Sequence, residues 1–199
     1  MPDELLTPAR EQAERSEPGV RVAALLRIAR VESAINREQA RKTFEQALTE
    51  TRGITGVDGG FLLAHARLIA AAVAPDLVAD IPALDHLPRH VSSETVGRIM
   101  LDHQHHDAAF DYVVRYDEPS SFPFGVAAAL MRSLDNDGNR LAVLRSTIAA
   151  WRTAREARHF HSFQFISIFQ SQWKLLPLKR LLQWHAKLSA SRWSNLINP

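Results

Sequence analysis

Apolar residues recur every three or four positions along most of the first 155 residues, and this spacing predicts α-helices. The clearest stretch is 20–52, which the pattern divides into two amphipathic helices with a break at Ile35-Asn36. Asn36 is suited to cap the second helix, because its short side chain can accept a hydrogen bond from a free amide two or three residues later. The sequence therefore predicts a helical hairpin.

The same spacing predicts helices on both sides of this hairpin. A short helix within residues 1–19 is expected to close at Pro18-Gly19. Asp58 is expected to cap a helix over 61–74, and Ser92 or Ser93 to cap another. Further helices are predicted at 75–80, 108–115, 124–134 and 141–155, with connections at 53–60, 81–90, 117–123 and 135–138. Residues 103–107 are expected to form either a turn or the polar first turn of a helix.

Composition agrees with an all-helical protein. The chain has 199 residues, 46% of them hydrophobic, which is enough for a core and argues against wholesale disorder. Glycine is scarce, at 8 residues, and alternating β-branched runs are rare, so helix is favoured over sheet. There is no cysteine, which excludes disulfides, thiolate metal sites and cysteine nucleophiles.

Repetition is weak but present. The segment VAALL at 22–26 is echoed by VAAAL at 126–130, an interval of 104 residues. This interval is about three periods of roughly 34–35 residues, the length of one helical-hairpin repeat.

Ala40, Phe44, Ala47 and Leu48 have a spacing that resembles the second helix of a tetratricopeptide-type repeat. The match covers about thirteen residues, and the first helix departs from the family pattern. The resemblance implies an α-superhelix that binds another protein, and it carries over no binding residue. A HEAT-like array fits the later hairpins about as well. The predicted fold is therefore all-α, with stacked antiparallel hairpins forming a solenoid over residues 1–176.

Residues 177–199 are predicted to be a separate basic and aromatic tail, either a truncated or an atypical terminal repeat. All 22 acidic residues lie at or before Glu156, so residues 1–156 carry −4 and the last 43 residues carry +6. Such asymmetry can indicate a nucleic-acid or anionic-membrane surface. The bases are sparse, so a helix packed on its neighbours is the favoured interpretation of 158–176.

The densest polar cluster is DHQHHD at 102–107, which offers imidazoles and carboxylates as ligands for zinc or another first-row cation. On one helix, Asp102 would share a face with His106, and His103 with Asp107. These four residues are the candidate metal ligands. A solvated turn between helices is the favoured alternative, since each face offers only two ligands.

No catalytic signature stands out. The carboxylates of Glu45 and Glu50, or of Asp111 and Asp117, have spacings typical of exposed helix charges. The phosphate-binding loop, the dinucleotide fingerprint and the nucleophile elbow are absent from the sequence.

The favoured function is a non-enzymatic scaffold that binds a protein or peptide. No cofactor is expected, no small-molecule substrate is identified, and nucleic-acid or membrane binding is not favoured. The first residues lack the apolar core of a secretory signal, and no apolar run reaches the length of a membrane span, so a cytoplasmic location is expected. The alternatives are a metal-dependent helical enzyme that uses the histidine cluster, or a surface binder that uses the basic tail.

Overall fold

A computed structural model describes residues 2–82 and 92–156, and over these ranges the protein is helical without a β-strand. The all-α prediction is confirmed for this part of the chain. The helices are α1 (Pro2–Glu14), α2 (Pro18–Glu32), α3 (Arg37–Thr51), α4 (Gly56–Val73), α5 (Ser93–Asp102), α6 (His106–Val114), α7 (Phe124–Ser133) and α8 (Asp137–Glu156), with 3-10 segments at Pro75–Asp80 and Pro119–Ser121.

The hairpin of α2 and α3 forms where the apolar spacing predicts it. The Asn36 side chain accepts a hydrogen bond from the Gln39 amide at 3.1 Å, which confirms the predicted cap. Phe44 is fully buried, and so are the alanines one turn before and one turn after it, Ala40 and Ala47. The small side chains let neighbouring helices approach while the aromatic ring fills the space between them.

Several predicted helix boundaries are wrong, and local chemistry explains them. Pro18 begins α2 instead of closing α1, because proline lacks the amide hydrogen that the first helical position leaves unpaired. α4 begins at Gly56, five residues early, so Asp58 lies in its first turn and is not its cap. A Cβ at Gly59 would lie 2.2 Å from the Ile54 carbonyl oxygen, so this glycine permits a close approach of backbone.

Among the later helices, the predicted cap of α5 is confirmed, whereas α8 begins earlier than predicted. The Ser92 side chain accepts a hydrogen bond from the Thr95 amide at 3.2 Å, which confirms the predicted cap of α5. The turn at 135–138, predicted to end a helix, also begins the next one. The Asn136 carboxamide oxygen accepts hydrogen bonds from the amides of Gly138 and Asn139, and α8 therefore starts at Asp137.

Helices α2, α3 and α4 are linked by four-residue connections and run antiparallel in succession. Arg21 near the start of α2 reaches Glu50 near the end of α3 at 3.6 Å. Arg41 near the start of α3 makes a two-pronged ion pair with Asp76, just after α4, at 2.7 and 2.8 Å. The guanidinium lowers the pKa of the Asp76 carboxyl below its usual range. α2 and α4 therefore lie side by side and run in the same direction.

In residues 92–156, as in α2–α4, each helix also contacts the second helix after it: α5 contacts α7, and α6 contacts α8. Glu94 at the start of α5 accepts hydrogen bonds from the amides of Gly125 and Val126 at the start of α7. A carboxylate at this position also interacts favourably with the positive end of the α7 dipole. The Ser146 hydroxyl of α8 donates to the Val114 carbonyl oxygen at the end of α6, at 3.2 Å. The main contacts thus join each helix to the next one or two along the chain.

Helix α4 is long and apolar enough to span a membrane by length and composition alone. It packs against α2, α3 and α5, and 44% of it is buried. The predicted connection at 81–90 is described only at its first two residues. The predicted end of the helical domain at 176 and the basic tail at 177–199 lie outside the described residues.

Candidate functional site

The predicted metal cluster is divided between two helices. Asp102 is the last residue of α5, and His106 is the first residue of α6. Gln104 between them has φ of 61°, in the left-handed region, which turns the chain sharply. Asp102 and His106 therefore do not share a face of one helix, nor do His103 and Asp107.

Two histidine rings in this turn stack on one another, and one of them faces a backbone carbonyl of α4. The Nε2 atom of His105 lies 3.0 Å from the Ala72 carbonyl oxygen of α4, within hydrogen-bond distance. The His103 ring stacks on that of His105, with 6.3 Å between centroids. Within 2–82 and 92–156, no group of three His, Asp or Glu side chains is placed to hold a metal ion. The geometry therefore adds no support to the metal-site prediction, which stays a prediction from sequence.

Three of the carboxylates considered as catalytic candidates, Glu45, Glu50 and Asp111, lie within 4.0 Å of an arginine. Glu45 accepts from Arg41 at 2.8 Å, and Glu50 lies 3.6 Å from Arg21. Asp111 is 3.9 Å from the exposed guanidinium of Arg115, just after the end of α6. These contacts are those of ordinary helix surfaces, where ion pairs contribute little to stability. The histidines at 159 and 161, and those at 86 and 90, lie outside the described residues.

A small polar cavity of about 160 Å³ lies between α1, α2 and α3. It is lined by Arg10, Glu14, Arg21, Leu25, Gln39, Lys42, Thr43 and Gln46. Each of its three cations already has a carboxylate partner. Arg10 binds the buried Glu32, Arg21 faces Glu50, and Lys42 lies 2.7 Å from Glu38. Because its three cations are compensated, the cavity has no excess positive charge with which to attract an anion.

Two polar side chains, Arg67 and Tyr112, have buried polar atoms within the helical core. Arg67 of α4 is only 8% exposed and donates to the Ile81 carbonyl oxygen at 3.3 Å. The Tyr112 hydroxyl is buried nearby without a hydrogen-bond partner among the described residues, and burial raises its pKa well above the usual range. The neighbouring Tyr116 hydroxyl bonds that of Ser121 at 2.9 Å. These contacts link α4 to the chain at Ile81, and the end of α6 to the 119–121 segment.

A different arrangement is found where α2 and α4 lie side by side. Arg27 and Arg30 of α2 are exposed, and neither has an ion pair or a side-chain hydrogen bond with another described residue. Both are close enough to His65 of α4 for their positive charges to disfavour its protonated form. The pKa of His65 is lowered, first by burial and then by repulsion from the two guanidinium groups. Three basic side chains thus gather here without a compensating acid.

Exposed apolar side chains adjoin these basic groups. Val31 is 52% exposed and lies one turn from Arg27, and Phe61 is 59% exposed and lies one turn from His65. We name the surface formed by Arg27, Arg30, Val31, Phe61 and His65 the α2–α4 face. Val20 and Val57, which are also exposed, lie on the same two helices nearer their first turns.

The acidic residues of the two helices do not neutralise this face. In α2 the single acid, Glu32, is buried and paired with Arg10. In α4 the single acid, Asp58, lies two turns before His65, in the first turn. An exposed phenyl ring and an exposed valine therefore lie beside guanidinium groups that no carboxylate of the described residues compensates.

Sequence reasoning missed the α2–α4 face, although part of its signal was available. Neither Arg27 nor Arg30 has an acid three or four residues away in either direction, so no ion pair within the helix was possible. Comparison with family models, with curated proteins and with solved structures finds no match, so the residues themselves carry the functional argument.

Proposed function

We propose that this protein is a non-enzymatic helical scaffold that binds a protein or peptide segment through the α2–α4 face. The observation that carries the proposal is the juxtaposition of unpaired cations with exposed apolar side chains on two parallel helices. Two parallel helices form a shallow groove between them, and a partner helix or extended segment can lie along such a groove.

The arrangement of the helices supports a TPR- or HEAT-like solenoid for this scaffold. Contacts run between helices that are one or two apart in sequence, as in a stack of hairpins. The echoed segments at 22–26 and 126–130 lie in α2 and α7, and the first and last residue of each is buried. Repeat scaffolds of this kind commonly present helix faces to other proteins.

Selection from a random peptide display library tests the proposal, because it requires no partner to be chosen in advance. We expect selected peptides to bind the wild-type protein and to lose binding to Phe61→Ser, because the substitution removes the largest exposed apolar side chain of the face. Ile35→Ser is a matched control, since it removes an exposed apolar residue in the connection between α2 and α3, outside both helices of the face. Peptides that bind Phe61→Ser as well as wild type would contradict the proposal.

A further inference from the structure

The charge of the α2–α4 face indicates the chemistry of its partner. Arg27 and Arg30 are exposed cations with no carboxylate among the described residues within 4.0 Å, a property they share with Arg145 and Arg152 of α8. What distinguishes Arg27 and Arg30 is that they lie beside His65 and the exposed side chains of Val31 and Phe61. An exposed cation interacts well with water and needs no partner to be stable. Arg27 and Arg30 lie one turn apart on α2 and both disfavour the protonated form of His65, so an anion bound beside them interacts favourably with both guanidinium groups.

We propose that the occupant of the α2–α4 face is an acidic segment of another protein, with Asp or Glu side chains opposite Arg27 and Arg30 and an apolar side chain opposite Phe61. The inference rests on the proposed function and adds the charge and composition of the partner. Guanidinium groups suit carboxylates, because their planar donors can bond both carboxylate oxygens. The exposed phenyl ring supplies the apolar contact that gives such an interface its stability.

Other occupants fit the face less well. The last 43 residues of this chain carry six basic residues and no acid, so they do not complement it. Nucleic acid is a polyanion that proteins bind through contacts of many Lys and Arg side chains with phosphates, whereas this face offers two arginines. The neighbours of the cations are also mainly aliphatic, whereas single-stranded nucleic acid is bound by stacking on several aromatic rings.

The test is the same library selection, repeated on the charge-reversed double variant Arg27→Glu/Arg30→Glu. Wild type should select peptides enriched in Asp and Glu together with large apolar residues, and the variant should bind those peptides about 10- to 100-fold more weakly. The variant should in turn select basic peptides. Binding to wild type should weaken as salt rises from about 50 to about 500 mM, because exposed charges are screened.

A matched control is available on α8. Arg145 and Arg152 are exposed and have no ion pair with a described residue, so Arg145→Glu/Arg152→Glu changes net charge by the same amount away from the face. It should retain the wild-type peptides and their affinities. Circular dichroism of both double variants establishes that each is folded before binding is measured.

The outcomes separate the two proposals. Selected peptides that are neutral or basic, that need Phe61 and that ignore charge reversal would overturn the acidic partner while leaving the scaffold proposal intact. Peptides indifferent to both Phe61 and the arginines would overturn both. Tighter binding of a single-stranded oligonucleotide than of the acidic peptides, or self-association of wild type that Arg27→Glu/Arg30→Glu abolishes, would also overturn the acidic partner.

Discussion

Replacement of Gly97 by alanine should test whether alternate helices lie side by side. Gly97 is in the middle of α5, and a Cβ built on it would lie 2.8 and 3.0 Å from the two methyl carbons of Val126 on α7. Val126 is 1% exposed and has a stiff branched side chain, so the methyl groups have little room to move. Glycine at this position therefore permits the close approach of the two helices.

Two opposing effects set the magnitude. Alanine is favoured over glycine inside a helix by about 1 kcal/mol, because it loses less backbone entropy on folding. Overpacking of a buried contact costs about 1–3 kcal/mol. Gly97→Ala should thus lower the free energy of unfolding by about 1 kcal/mol. Val126→Ala should lower it by about 2 kcal/mol, from two methyl groups and the space they leave.

The double variant gives the decisive comparison. When Val126 is already alanine, both methyl groups that meet the new Cβ are gone, and Gly97→Ala should become stabilising by up to about 1 kcal/mol. Urea unfolding followed by circular dichroism gives the free energy of unfolding of the wild type, the two single variants and the double variant, all analysed with one common m value. Gly19→Ala is the control, because a Cβ there meets nothing within 4 Å. If Gly97→Ala stabilises the wild-type protein as Gly19→Ala does, α5 and α7 do not approach as described.

Three further predictions concern the core, a cap and a titrating side chain. Phe44→Ala should cost about 3–5 kcal/mol of unfolding free energy, whereas Phe61→Ala should change it by less than about 0.5 kcal/mol, because only Phe44 is buried; equal costs in urea unfolding would contradict the assigned burial. Asn36→Ala should cost about 1 kcal/mol and Asn36→Asp much less, since aspartate can still accept from the same amide; equal losses would show that the side-chain bond does not stabilise α3. The folded-state pKa of His65 is lowered, so the unfolded chain binds its proton more readily, and stability should fall as pH drops from about 6.5 through that lower pKa. His65→Gln should reduce this loss between about pH 7.5 and about pH 5, and superimposable pH profiles of the two proteins would contradict it.

The helices were predictable where their signals are local. The caps at Asn36 and Ser92 each depend on a side chain and an amide three residues later, so a single sequence contains the whole interaction. The start of α4 was missed for the opposite reason. Glycines at 56–60 are typical of a loop, and only the packing of Gly59 against the Ile54 carbonyl shows why they belong to a helix.

The α2–α4 face was harder to predict, because charge compensation depends on contacts distant in sequence. Arg21 is paired with Glu50, 29 residues away, whereas Arg27 on the same helix has no ion pair with a described residue. Sequence spacing excludes a partner within the helix for Arg27, but it does not reveal whether another helix supplies one. The proximity of Arg30 to His65 likewise depends on how α2 and α4 pack, which the apolar pattern does not specify.

The histidine turn shows that the directions of the side chains, and not only their residue types, decide what a cluster of histidines can bind. His105 has a single acceptor in place among the described residues, the Ala72 carbonyl oxygen, and a carbonyl can only accept a hydrogen bond. The bond therefore requires a proton on Nε2, which in the neutral ring leaves Nδ1 as the nitrogen with a free lone pair. Used in this way, the imidazole joins the start of α6 to the end of α4. Metal binding requires several lone pairs aimed at one point, whereas this turn directs one histidine toward a backbone carbonyl and stacks another upon it.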